Sequence, residues 1–255
     1  MQPARRIYFA ADVHLGGGDP AAARRKEQRF VAWLDRAADD AEAIFLLGDL
    51  FDFWFEYKRV VPKGFVRTLG KLAELTDRGI RIGFVAGNHD QWVGDYLRRE
   101  CGVEIHTAPQ LLELHGQQLF LAHGHALGVG REPRLLNRIF RSRTLRWLFR
   151  TFVPHNTAMR FGLWWSAKSR QAHARRGPVD PAVTEPLIGF ARSYAAAHRV
   201  DHFLFGHMHI ARDYRDGSLH TVHLGDWEQG GSFAVLDAAG AVTLESFDTL
   251  ESTRS

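Results

Sequence analysis

The chain predicts an α/β fold: two mixed β-sheets packed as a sandwich and flanked by helices, with a helical cap inserted at 127–176. Three observations carry that prediction. Short apolar runs alternate with helix-period segments through the first half. Strand-like runs return near the C-terminus, at 202–205, 219–224, 231–236 and 241–246. Between these halves, 127–176 has no strand signal and is rich in Arg, Leu, Phe and Trp.

The elements follow in order. Apolar runs at 7–11, 43–47 and 80–86 predict buried strands. Helices are expected after them, at 24–38, 63–78 and 92–100; in the first, Phe30, Trp33, Leu34 and Ala37 recur at helical spacing. Residues 109–122 predict a hairpin with His115-Gly116 near its turn. A helix is expected at 182–198, and the last strand runs alternate in a way that predicts antiparallel pairing. The implied division is a core of 1–126 and 177–255 with a cap of 127–176.

Bulk properties narrow the function class. A chain of 255 residues holds one domain plus an insertion. Cys101 is the single cysteine, which excludes an intrachain disulfide and a cysteine-based zinc site. The N-terminus shows no apolar signal segment, and no apolar run approaches the roughly 20 residues needed to span a bilayer. A cytoplasmic location is therefore expected, with any membrane contact peripheral. Nothing in the sequence speaks to the oligomeric state.

Five polar motifs stand at the ends of the buried runs: Asp12-Val13-His14, Gly48-Asp49, Gly87-Asn88-His89-Asp90, His123-Gly124-His125 and Gly206-His207-Met208-His209. Strand ends facing one crevice are where α/β sheets place ligands. Taken singly, an Asp after a strand is most often a cap or turn residue. Five in order, carrying Asp, His, Asn and His, predict a metal centre. Two-metal hydrolytic sites hold their ions about 3.5–4 Å apart through a shared carboxylate. Asp49 suits that bridging place. Asp12, His14 and His209 could complete one site, and Asn88, His123 and His207 the other.

These motifs, with Asp52 after Gly48-Asp49, resemble the calcineurin-like metallophosphoesterase family. The resemblance implies a binuclear centre, often manganese, with iron, zinc or magnesium also compatible. Gly48-Asp49-Leu50-Phe51-Asp52-Phe53-Trp54, the Arg-rich insert and Leu224-Gly225-Asp226-Trp227 are similar to the group that hydrolyses UDP-2,3-diacylglucosamine in lipid A synthesis. That implies cleavage of the pyrophosphate to UMP and 2,3-diacylglucosamine 1-phosphate. The alternative within the family is another phosphodiester, a nucleotide or a phosphomonoester.

The chain departs from the well-studied members of that group. His89 stands where they carry Arg, and Asp52 where they carry Glu. The expectation is that Asp52 orients His89 and raises its basicity, with His89 and Asn88 acting on the phosphoryl group beside His207. His125 replaces an Asp, and Arg131 replaces an acidic contact. In the insert, the resemblance implies substrate contacts at Ser169, His173 and Arg176, with Lys168 neutralising phosphate alongside Arg176.

The insert also has an amphipathic pattern. On a helix at 143–152, Leu145, Leu148, Phe149 and Phe152 share one face, and Arg143, Arg146 and Arg150 the opposite one. Leu135, Leu136, Ile139 and Phe140 lie beside Arg134, Arg138 and Arg141. Such helices lie at an anionic membrane surface, wrap a lipid chain, or simply face a core with the Arg side solvated. Phe161, Trp164 and Trp165 add aromatic surface that a small cap would struggle to bury. With the resemblance to the lipid A hydrolases, this implies a peripheral location on the cytoplasmic face of the inner membrane. Nucleic-acid binding is not expected: Arg is interleaved with aliphatic residues at helical spacing, and no reading element is present.

Overall fold

The computed structural model describes residues 5–128, 142–174, 181–228 and 230–248, without the side chains of residues 143, 169–174 and 181. Arg131, Arg134, Leu135, Leu136, Arg138, Ile139, Phe140, Arg141 and Arg176 lie outside the described residues, as do the side chains of Arg143, Ser169 and His173.

The first sheet has the strand order β11-β10-β1-β2-β3-β4. Its members are β1 (Arg6–Ala10), β2 (Ala41–Leu46), β3 (Arg81–Val85), β4 (Glu104–His106), β10 (Ser232–Leu236) and β11 (Val242–Ser246). The second has the order β5-β6-β7-β9-β8, built from β5 (Gln110–Leu114), β6 (Gln117–Ala122), β7 (His202–Phe205), β8 (Ala211–Asp216) and β9 (Leu219–Leu224). Strands β1 to β4 run parallel, as do β6, β7 and β9.

The apolar runs explain the layers. One face of the first sheet (Ile7, Phe9, Phe45, Val85) packs on one face of the second (Leu119, Leu121, Leu204, Val222). The other face of the first sheet (Tyr8, Ile44, Phe84) is covered by α1 (Pro20–Ala37), α2 (Val66–Asp77) and α3 (Tyr96–Cys101). The outer face of the second (Phe120, Phe203, Phe205) is covered by Leu187, Ile188 and Ala191 of α6 (Glu185–Ala195). Strands covered on both faces read as continuous hydrophobic runs. Within the insert, α4 (Arg143–Phe152) and α5 (His155–Ala174) are helical. Among the described residues no helix is long and apolar enough to cross a membrane.

Several expectations need correction. Helix α1 starts at Pro20, four positions before the expected 24, because Asp19 caps it, accepting from the Ala22 amide at 2.9 Å, and Pro20 fits the first turn. Helix α3 starts at Tyr96, because Trp92 is used in a bridge with Phe55. The C-terminal strands neither alternate nor pair only antiparallel. Every residue of β9 and β10 is buried, and β9 is parallel to β7 while antiparallel to β8. Strands β4 and β8 were not expected. The first is three residues long; the second, Ala-Arg-Asp-Tyr-Arg-Asp, is a polar edge strand.

Candidate metal centre and the adjoining apolar cleft

The C-terminal ends of β1, β2, β3, β6 and β7 deliver the five motifs to one place. The loops after β1 and β2 continue pairing beyond their strands: Asp12 N donates to Gly48 O (3.1 Å), and His14 N to Asp49 O (2.9 Å). Asp12, His14, Asp49, His207 and His209 all have positive φ, between 49° and 71°. Non-glycine residues occupy that region at a cost of about 1–3 kcal/mol each, and such strain gathers at functional sites. Crowding is tight: a Cβ on Gly87 would lie 2.2 Å from Asp49 Oδ1, and one on Gly206 would lie 2.8 Å from Asp12 Oδ2.

Three groups of side chains place ligand atoms within 4.8 Å of one another: Asp12, His14 and His209; His14, Asp49 and His89; Asp49, His123 and His207. His14 and Asp49 are shared, so the three form one continuous cluster. Backbone amides fix the carboxylates. His207 N donates to Asp12 Oδ2 (2.7 Å) and His89 N to Asp49 Oδ1 (2.9 Å). Asp90 accepts from Gly87 N (2.7 Å) and Leu50 N (2.8 Å), stapling the β3 loop to the β2 loop.

The atoms left over suit a cation. Asp12 Oδ1 is buried with no hydrogen-bond partner among the described residues, and lies 3.7 Å from His14 Nε2 and 3.6 Å from His209 Nε2. His123 donates from Nδ1 to the Leu47 carbonyl (2.9 Å), which leaves Nε2 facing Asn88 Oδ1 at 3.0 Å and Asp49 Oδ2 at 3.3 Å. Imidazole with carboxylate and amide oxygen is a donor set for divalent first-row ions. Without a cation, a proton substitutes. Burial opposes charge on His123, yet Asp49 pushes it up to about 9. Burial would raise Asp49, but His123 and His89 hold it well below the usual carboxylate range. Burial and the neighbouring His123 keep His207 well below the ordinary histidine value.

The expected Asp52–His89 pair takes a different form. His89 Nδ1 donates to the Asp52 backbone carbonyl at 2.8 Å. The Asp52 carboxylate turns away, accepting from Ser166 Oγ (2.7 Å) and lying 3.7 Å from His14 Nδ1. A carbonyl orients His89 but adds no full negative charge behind it. Burial then holds His89 below the ordinary histidine value, despite the opposing pull of Asp49. The expected rise in basicity is not seen.

A cleft of about 630 Å³ opens beside the cluster. Asn88, His89, Gln91, His125 and His207 are its polar lining; Phe53, Trp54, Trp92, Leu145, Phe149, Phe161 and Trp165, with Gly162, line the rest. Helix α4 therefore splits its expected apolar face: Leu145 and Phe149 line the cleft, while Leu148 and Phe152 are exposed. Lys168 is not on the cleft wall; its ammonium sits 5.4 Å above the Trp164 ring. Sequence reasoning assigned no role to Asp226, whose Oδ2 lies 3.4 Å behind His209 Nδ1. The signal was present, since Gly225-Asp226 ends the buried run of β9 as Gly48-Asp49 ends that of β2.

The family model for calcineurin-like phosphoesterases matches residues 5–211. The chain belongs to that family. A UDP-2,3-diacylglucosamine hydrolase from Porphyromonas gingivalis is 40% identical over 263 aligned residues, covering 96% of this chain and 99% of the relative. Proteins of the same description from Edwardsiella ictaluri (28% identical, 93% of this chain and 90% of the relative) and Neisseria gonorrhoeae (28%, 93% and 97%) are also similar. Membership of this phosphoesterase family accounts for the clustered Asp and His side chains, which are its candidate metal-binding groups.

Proposed function

We propose that this protein hydrolyses the pyrophosphate of UDP-2,3-diacylglucosamine, giving UMP and 2,3-diacylglucosamine 1-phosphate for lipid A synthesis. The observation that carries the reading is the cleft, which joins an Asn/His end at the metal-type cluster to a wall of seven apolar side chains. A doubly acylated sugar phosphate has the same division into a charged end and apolar chains. The full-length relative at 40% identity supports the same substrate.

Asp12, His14 and His209 would hold one divalent ion and Asn88, His123 and His207 a second, with Asp49 between them; Mn2+ is our assignment, and the same donors admit Fe, Zn or Mg. Such ions supply Lewis-acid polarisation of phosphoryl oxygens and acidify water near neutral pH. The protein's own groups do the rest. The Leu47 carbonyl fixes the His123 tautomer, and Asp226 backs His209. His89, held by the Asp52 carbonyl, lines the cleft and would donate to a phosphoryl oxygen only in its protonated form. Phe53, Trp92 and Phe149 hold acyl chains and exclude water. The departing sugar 1-phosphate is stable as an anion and needs no protonation.

Helices α4 and α5 would form the cap of a two-part molecule. Their outer surface supports peripheral docking on an anionic membrane: Trp147, Phe152 and Trp164 are 59%, 70% and 55% exposed, beside exposed Arg150 and Arg160.

The deciding experiment is mass spectrometry of products after manganese-loaded protein meets UDP-2,3-diacylglucosamine. Equal amounts of UMP and the diacyl sugar 1-phosphate are expected. An intact substrate, beside rapid cleavage of a generic phosphodiester, would move the assignment to another ester of the same chemistry.

A further inference from the structure

Ser166 is fully buried on α5, and its Oγ donates to Asp52 Oδ1 at 2.7 Å across 114 positions of sequence. The same carboxylate oxygen lies 3.7 Å from His14 Nδ1. That is an electrostatic contact longer than a hydrogen bond. His14 Nδ1 is buried without a hydrogen bond among the described residues, so the Asp52 carboxylate addresses the back of this ring. On the other side, His14 Nε2 faces Asp12 Oδ1 at 3.7 Å and Asp49 Oδ2 at 3.9 Å.

The seat of α5 holds this contact in register. Ala158, Gly162 and Ser166 recur every fourth position and are buried, while Phe161, Trp164 and Trp165 between them are exposed. A Cβ on Gly162 would meet the Phe53 ring at 2.4 Å. The helix therefore lies directly on residues 52 and 53. Six consecutive residues of it carry two cleft-wall side chains, Phe161 and Trp165, together with the hydroxyl that grips Asp52.

We propose that Ser166 is a positioning residue: by fixing the Asp52 carboxylate it sets the His14 ring, and so ties the helix of the apolar wall to the candidate metal centre. The inference rests on the metal-centre reading given above. A hydroxyl donating to a buried carboxylate makes a short, charge-assisted bond that selects one carboxylate rotamer. A carboxylate behind an imidazole orients the ring and strengthens it as a ligand. Loss of the hydroxyl removes one restraint on the Asp52 carboxylate and leaves His14 less well aimed.

The test is calorimetric titration of metal-stripped protein with Mn2+, using wild type, Ser166→Ala, Asp52→Asn, the double variant, and Leu163→Ala as a control on the exposed side of α5. Alanine is favoured in a helix, so Ser166→Ala is expected to fold. Ser166→Cys, nearly isosteric with a weaker donor, is a second variant. Outer partners of metal ligands are worth about 10–100-fold in affinity. Ser166→Ala should weaken Mn2+ binding about tenfold, Ser166→Cys less, and Leu163→Ala not at all. The double variant should be no weaker than Asp52→Asn alone, because both changes break one chain. The electron paramagnetic resonance spectrum of bound Mn2+ should also differ between Ser166→Ala and wild type. Wild-type affinity in Ser166→Ala, or losses that add fully in the double variant, would overturn the proposal and leave Ser166 a packing residue. Absence of Mn2+ binding by the wild type would instead overturn the metal-centre reading itself.

Discussion

The Nε2 atoms of His14 and His209 face one another at 3.3 Å, and the buried Asp12 Oδ1 lies within 3.7 Å of both. Two ring nitrogens and a carboxylate oxygen crowd together only if a proton or a cation sits among them. Loading with a divalent ion is therefore expected to raise Tm. At a concentration a hundred times Kd the stabilisation is about 2.7 kcal/mol, or roughly 5–10 °C for a chain of this size. Differential scanning fluorimetry with Mn2+ against a chelator reads this directly. Because His123 is pushed up to about 9, loading below that pH should also release a proton. An unchanged Tm at saturating Mn2+ would count against the cluster as a metal centre.

Asp49 touches His14, His89 and His123, each between 3.3 and 3.9 Å from its Oδ2. Asp49→Asn keeps its shape and removes the charge. Metal content should fall, and kcat/KM should drop by about a thousandfold or more, since Lewis-acid stabilisation is worth several kcal/mol. Elemental analysis and product assays on the same sample check both. Normal turnover with full metal content would remove Asp49 from the bridging place.

Phe149 stacks edge-on against Trp92 and Phe55, with centroids about 5 Å away (5.0 and 5.1 Å), and lines the cleft. Burying such a ring against an apolar ligand is worth about 1.5–3 kcal/mol. Phe149→Ala should lower kcat/KM for the diacyl substrate by about tenfold to a hundredfold relative to a small aryl phosphodiester. Equal losses on the two substrates would mean that the wall does not hold acyl chains.

Exposed Trp147, Phe152 and Trp164 should partition into a bilayer interface, with Arg150 and Arg160 adding attraction to anionic lipid. Co-sedimentation with vesicles containing phosphatidylglycerol is expected to weaken in Phe152→Ala and Trp164→Ala, and with rising salt. Binding unaffected by either variant or by salt would rule out docking through this face.

His223 lies inside the second sheet, and burial, followed by nearby Arg212, pushes it down to about 4. Its unfolded value is about 6.5. Between those values the unfolded chain binds the extra proton and the folded one does not, so stability falls as pH drops from about 6.5 to about 4. The gap amounts to about 3 kcal/mol. His202 and His220 are also held low, chiefly by burial, and act in the same sense; His14 and His123, held high by carboxylates, act in the opposite sense. The contribution of His223 is therefore the difference between wild type and His223→Phe. Urea midpoints at pH 7.5 and pH 5 should fall less in the variant. Parallel losses would show that His223 is protonated in the fold.

The fold was legible where sequence expresses burial directly. Runs such as Ala43–Leu47 and His202–Phe205 are apolar because they lie between layers, and the Gly-Asp and Gly-His pairs mark their ends. What escaped detection lacked that signal. The short β4 and the polar edge strand β8 carry no continuous apolar run. The direction of β9 depends on its neighbours, not on its residues. The metal-type residues were found because five motifs recur in order. The Asp52–Ser166 contact was not found, because it joins side chains 114 positions apart and neither residue type implies the other. Likewise nothing local distinguishes a His89 held by a carbonyl from one held by a carboxylate.

Two of the three ligand clusters draw on both sheets, and His209, which closes the first, lies far along the chain. On the ribosome, Asp12, Asp49 and Asn88 emerge long before His207 and His209. The nascent chain thus carries only part of this candidate ligand set until β7 has been synthesised and docked. Under the proposed metal assignment, a chain terminated before β7 would lack His207 and His209 and could not complete either ligand set.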